Sequence, residues 1–172
     1  MPTPSFWVQV TGSSLAQGDF LPDCLVPHFR PDFGQTNNNV PVRHYDLIVV
    51  TQSCDLQNKK ISLVACSPIH RLEEFETINP PFANKGRWEE VRKGRVEPLH
   101  MLASTAQPDK NRDAFVVDFR EIYSLPVEYL SDHANRMGPR WRLQPPYLEH
   151  FSQAFARFFM RVGLPSTIPA FK

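Results

Sequence analysis

The stretch Tyr45-Asp-Leu-Ile-Val-Val-Thr-Gln-Ser-Cys-Asp-Leu56 decides how this chain is read. Its first half, Tyr45–Val50, is nearly all apolar and rich in β-branched residues, which predicts a central strand. The run stops at a polar cluster, Thr51-Gln-Ser-Cys-Asp55. Gln57-Asn-Lys-Lys60 then supplies a turn, and Ile61-Ser-Leu-Val-Ala-Cys66 returns as a second β-rich run. Two such runs around a polar turn predict an antiparallel hairpin with a loop longer than the tightest type.

Upstream, Trp7-Val-Gln-Val10 alternates and predicts a short strand. Gln17-Gly-Asp-Phe20 predicts a turn into another short strand ending at Pro22. Residues 27–41 carry three prolines, a glycine and three asparagines, the composition of a long loop, and loops of that length are commonly functional. Downstream, Arg71–Glu76 reads as a helical turn ended by Pro80-Pro81, and two glycines, Gly86 and Gly94, bracket a short element. Arg95–Leu102 and Ala114–Phe119 read as strands. Glu121–Tyr129 holds Pro126, which suits an edge or a kink. The tail differs. Leu148, Phe151, Phe155, Phe158 and Val162 recur at spacings of three and four, so Tyr147–Val162 predicts an amphipathic helix with one aromatic seam. Pro146 opens it, Arg157 and Arg161 favour its negative end, and Gly163 and Pro165 stop it.

Seventeen prolines against seven glycines argue for short strands and against long helices through most of the chain. A mainly β, α+β architecture follows: a small antiparallel barrel over residues 1–135, then a linker and the C-terminal helix over 136–172. The seam covers the barrel; a homodimer seam is the alternative. At 172 residues the chain suits one domain, and its net charge of +1 gives no global pull toward nucleic acid. No apolar run reaches a membrane span, and MPTPSFWVQV has neither the basic region nor the apolar core of a signal peptide. Three cysteines are not a disulfide framework. A cytoplasmic protein with reduced thiols and no membrane contact is expected.

Candidate sites follow from residue chemistry. Cys54, where the apolar strand emerges, is a candidate nucleophile if His44, His70 or His100 reaches it. Asp55 would join it; otherwise Ser53 and Asp55 bond turn amides and Cys54 is a small buried hydrophobe. Cys24-x3-His28 and Cys66-x3-His70 share a spacing. On a strand, however, positions four apart stand about 13 Å from each other, so no metal and no other cofactor is expected. Arg87, Arg92, Lys93 and Arg95 surround Trp88 but alternate with glutamates. Arg30 beside Phe29, and Arg140-Trp141-Arg142, pair cations with rings and are candidates for nucleic-acid binding. Trp141 anchoring the helix is the other reading. No glycine-rich phosphate loop or serine triad stands out.

The order of several motifs resembles the SH3-like barrel of PemK/MazF-type bacterial toxins. Gln17-Gly-Asp-Phe20, the 27–41 loop, Arg43 before Leu47–Val50, Cys66-Ser-Pro-Ile69 and Val116-Val-Asp-Phe-Arg120 occur in that family's sequence. The resemblance covers residues 15–130. It implies RNA cleavage, with Arg43 and Ser67 as catalytic residues and the 27–41 loop as a flap over substrate. The family's Glu-Gln and Arg-Pro pairs are absent, and Ser67 precedes its proline, so the fold transfers more readily than the nuclease activity. The tail, Arg142–Tyr147 through Arg161–Pro165, resembles uncharacterised bacterial proteins, some of them tied to conflict or phage-defence loci. The expected role is a module of a toxin–antitoxin or phage-defence system that engages RNA, DNA or a partner protein. The alternatives are a non-catalytic protein-interaction module and a cysteine enzyme using Cys54.

Overall fold

The computed structural model describes residues 5–35, 38–106 and 109–160. Strand β1 is Trp7–Val10, β2 Phe20–Pro27 and β3 Val42–Val49, followed by a short helix, α1, over Ser53–Gln57. Strand β4, Leu63–Arg71, runs straight into helix α2, Leu72–Ile78, and helix α3 spans Lys85–Arg92. Then come β5 (Leu99–Leu102), β6 (Phe115–Asp118), β7 (Tyr123–Pro126), helix α4 (Val127–Met137), β8 (Arg140–Leu143) and helix α5 (Tyr147–Phe159).

The expected hairpin forms: β3 pairs antiparallel with β4, Val49 opposite Cys66 and Leu47 opposite Pro68. That ladder is short: it ends at Leu47 opposite Pro68, and beyond it β4 pairs with β6, Ile69 opposite Val117. The main sheet runs β2-β3-β4-β6-β5, with β7 also on β4, and β1 pairs with β8 in a separate two-stranded ribbon. Every pairing is antiparallel. The strand path is open, since no ladder joins β5 to β2 among the described residues.

The chain is therefore a mixed α/β protein with antiparallel sheets and five α-helices among the described residues, where one late helix was expected. Helix α4 is the clearest correction. Pro126 ends β7 opposite Leu63 and is at the same time the N-cap of α4, so the segment expected as one strand turns into a helix there. Leu130 and Ala134 are buried on it and Val127, Tyr129 and Met137 pack alongside, so 127, 130, 134 and 137 form a helical face that reading Pro126 as a strand interior hides. Residues 136–146, expected as a linker, contain β8. Arg161, Val162, Gly163 and Pro165, read as the helix end, lie outside the described residues.

Three packed clusters hold the elements. The first takes one or more residues from almost every strand: Trp7, Phe20, Ile48, Ile69, Leu102, Val117 and Leu143, with Phe151 from α5. Leu148, Phe155 and Phe158 lie against it, so the aromatic seam covers the core as expected. The second cluster lies on the opposite face of β2 and β3, where Cys24, Val26, Leu47 and Val49 meet Leu130 and Ala134 of α4. The third joins Phe75 and Trp88 of α2 and α3 to Leu99 and Val116.

Candidate functional site

The polar cluster after β3 is bonded into the fold. The Gln17 amide N–H donates to Ser53 Oγ at 3.0 Å, and Gln17 Nε2 donates to the Val50 carbonyl at 2.9 Å. The Ala65 N–H donates to Thr51 Oγ1 at 2.8 Å. These side chains satisfy backbone groups where the β3–β4 ladder ends, which is why polar residues stand there. Cys54 is exposed, unlike buried Cys24 and Cys66. Its Sγ lies 3.6 Å from Gln52 Oε1 and 3.9 Å from Asp55 Oδ1. The three histidines considered as its base sit elsewhere. His44 is paired with Asp23, and His70 packs on Phe75. His100 lies against Phe119 and Phe151, where burial drives its pKa down to about 4. Among the described residues, then, the Cys54–Asp55 site has acceptors around the thiol but no histidine to take its proton.

Arg43 and Ser67 are not brought together. Ser67 stands opposite Ile48, five residues along β3 from Arg43, a separation of about 16 Å on an extended strand. Ser67 is wholly buried, and its hydroxyl has no hydrogen-bond partner. Arg43 is exposed near the far end of β3.

The Arg140-Trp141-Arg142 patch faces inward. Arg140 and Asp19 are both fully buried and meet at 3.1 Å, and the Arg140 guanidinium also donates to the carbonyls of Gly12 and Ser14. Arg142, a quarter exposed, donates to both oxygens of the same carboxylate. Trp141 packs against the first core cluster. A phosphate could reach Arg140 only by breaking its bond to the buried Asp19, which would then keep Arg142 as its cation. Asp19 is the hub of this network and went unnoticed as such in the sequence; nothing local distinguishes it from a turn residue. Four further arginines are engaged as well. Arg92 and Arg95 bond Glu89 and Glu90, Arg112 bonds Glu76, and Arg120 bonds Asp118.

What the surface does offer is an arm. Strands β2 and β3 stay paired well beyond the last residue that β4 covers, with Val26 opposite Arg43 and Pro27 opposite Val42. One face of this ribbon is backed by α4, and Tyr129 Oη accepts the Leu25 N–H at 2.6 Å. The other face is bare. Leu25 is 43% exposed and Val42 52%. At the tip Phe29 and Phe33 stand edge to face at 5.0 Å, and Phe29 is 63% exposed. Arg30 shares that tip, 3.5 Å from Asp32. A bulge between Leu21 and Cys24 sets the angle at which the arm leaves the sheet. Asp23 there has φ +56°, its N–H donates to Asp46 Oδ1 at 2.9 Å, and its carboxylate meets His44 Nδ1 at 2.5 Å. Comparison of the chain with family models, with curated proteins and with solved structures finds no match.

Proposed function

We propose that this protein is a non-catalytic interaction module that presents its β2–β3 arm to a partner protein. The observation that carries the reading is the set of exposed apolar side chains on the arm, Leu25, Phe29, Phe33 and Val42, with Phe29 and Phe33 in ring contact at its tip. Exposed apolar patches of this kind mark protein contacts. Nucleic-acid engagement has the weaker support, because Arg140, Arg142 and several surface arginines are bonded to carboxylates; Arg30, at the tip with Phe29 and Phe33, is its remaining argument. RNA cleavage needs a nucleophile or base and a cation at one phosphate, and the separation of Arg43 from buried Ser67 stands against it. The setting we assign is a bacterial toxin–antitoxin or phage-defence system, on the motif resemblance alone.

The barrel reading also belongs here. Trp7 Nε1 donates to the Ala103 carbonyl at 2.8 Å, just past β5, and a single bridge joins Arg142 of β8 to Asp19 at the head of β2. The β1–β8 ribbon thus spans the gap that the ladders leave, which supports a partly opened barrel with the first core cluster as its interior.

A photo-crosslinking amino acid in place of Phe33 tests the role in cells. The expected product is a discrete protein adduct that survives nuclease treatment and disappears with Leu25→Ser and Val42→Ser. An adduct that nuclease digestion removes would make the arm a nucleic-acid binder instead.

A further inference from the structure

We propose that the cleft between the 12–15 loop, the turn after α1 and the start of α4 binds a short peptide by its two free ends, at a site separate from the arm. The cleft has a volume of about 1020 Å³. That is the upper end of what small-molecule sites span, about 300–1,000 Å³, and it suits several residues better than one. Leu15 is buried in its lining, and Leu56, Ile61 and Val127 are half-buried there. The charged lining is exposed and of both signs: Lys59 and Lys60 from the turn, Glu128 and Asp132 from α4. None of these four forms an ion pair with another described residue.

Each wall has a local cause. The Lys59 N–H donates to the Leu56 carbonyl and the Lys60 N–H to that of Asp55, the paired bonds with which a helix closes in the left-handed region. Glycine is the usual residue at that position, yet Lys59 holds it at φ +51°. A long cation kept at a strained position beside a cleft points to use of the side chain. On α4, Val127 and Ser131, and Glu128 and Asp132, are spaced by four and share one side of the helix, while Leu130 and Ala134 pack toward β2. The 12–15 loop is fixed from behind. Arg140 donates to the carbonyls of Gly12 and Ser14, and Arg142 also donates to Ser14. The buried network around Asp19 thus holds the backbone of one cleft wall. A ligand of a single charge would be repelled from one side of this cleft. A peptide with free termini meets both sides, its ammonium at Glu128 and Asp132, its carboxylate at Lys59 and Lys60, its apolar side chains on the lining between.

Tetrapeptides of alanine and leucine, with termini either free or capped by acetyl and amide groups, are titrated into the isotope-labelled chain to about 10 mM, a range that detects millimolar affinity. Free peptides are expected to shift the amide resonances of Ser13, Lys59 and Ser131. Capped peptides, lacking two exposed ion pairs, are expected to bind about ten-fold more weakly. Lys59→Gly relieves the left-handed strain, so it should keep or raise the melting temperature; both it and Glu128→Gln are expected to weaken binding about three-fold. No shifts at the cleft, equal binding of capped and free peptides, or unchanged affinity in either variant overturns the site. The arm reading stands or falls separately, on the crosslink at Phe33.

Discussion

Ser67 carries a buried hydroxyl without a hydrogen-bond partner among the described residues, and Cys54 an exposed thiol beside Gln52 and Asp55, so the two residues call for different measurements. An unsatisfied buried hydroxyl costs about 1–3 kcal/mol. Ser67→Ala, which removes it and leaves almost no cavity, is expected to stabilise the protein by about 1 kcal/mol. Urea unfolding checks this through a higher midpoint at unchanged slope; a lower midpoint would mean that the hydroxyl is bonded after all. The three cysteines should separate by accessibility. Burial pushes the Cys24 thiol up to about 12 and raises that of Cys66 as well, so both stay protonated and shielded near neutral pH. A thiol-disulfide reagent is expected to modify Cys54 rapidly in the native protein, and all three cysteines only in denaturant. Rapid native labelling of more than one thiol would contradict the buried positions.

Between elements, the tightest contact is where the turn before β2 meets β8 and α5. Gly18 has φ +82°, and a methyl group there would stand 2.9 Å from Leu143 Cβ and 3.0 Å from Leu148 Cδ1. Its N–H donates to the Val49 carbonyl and its carbonyl accepts from Leu143, so the backbone cannot move aside without loosening β3 or β8. Gly94, after α3, has a similar φ of +68° but open space around it. Gly94→Ala therefore carries conformational strain alone, about 1 kcal/mol, while Gly18→Ala adds a steric clash and is expected to cost at least about twice that. Thermal melts of the two variants side by side separate the contributions; equal shifts would show that the turn yields freely.

Across the whole molecule, acid is expected to act through His100. The ring lies between Phe119 of the sheet and Phe151 of α5, and burial, helped by nearby His150, lowers its pKa from 6.5 to about 4. Above pH 6.5 the imidazole is neutral folded and unfolded, and its packing contributes in full. Between 6.5 and 4 the unfolded chain takes up a proton that the folded chain refuses, so stability falls as pH falls across that window. At roughly 1.4 kcal/mol per unit the loss reaches about 3 kcal/mol near pH 4. His100→Phe keeps a ring in the stack and is expected to flatten this part of the stability–pH curve, measured by denaturant titration at pH 7, 5.5 and 4.5. An unchanged slope would place the acid sensitivity elsewhere. The same packing joins the tail helix to the sheet, so the loss should appear as one cooperative transition.

Much of the frame was legible in residue order. β-branched runs and a polar turn specify the β3–β4 hairpin, alternation specifies β1, and threefold and fourfold spacing specifies α5, because these signals depend only on which side chains a strand or helix can bury along its own length. Helix α4 was hidden by Pro126, which ends β7 and opens the helix; its spacing of Val127, Leu130, Ala134 and Met137 is local, while the partners of that face, Cys24 and Val26, stand about a hundred residues earlier. The candidate site divides in the same way. The composition of the 27–41 loop marked it for function, and Phe29 and Arg30 were already in view. That Arg140 and Arg142 would close on Asp19, that Ser67 would be sealed away from Arg43, and that the β3–β4 ladder would end at Pro68 all depend on distant segments meeting. Local sequence sets the elements, because helix and strand periods are local properties; which charges are neutralised and which edges are covered is decided only when the chain is folded.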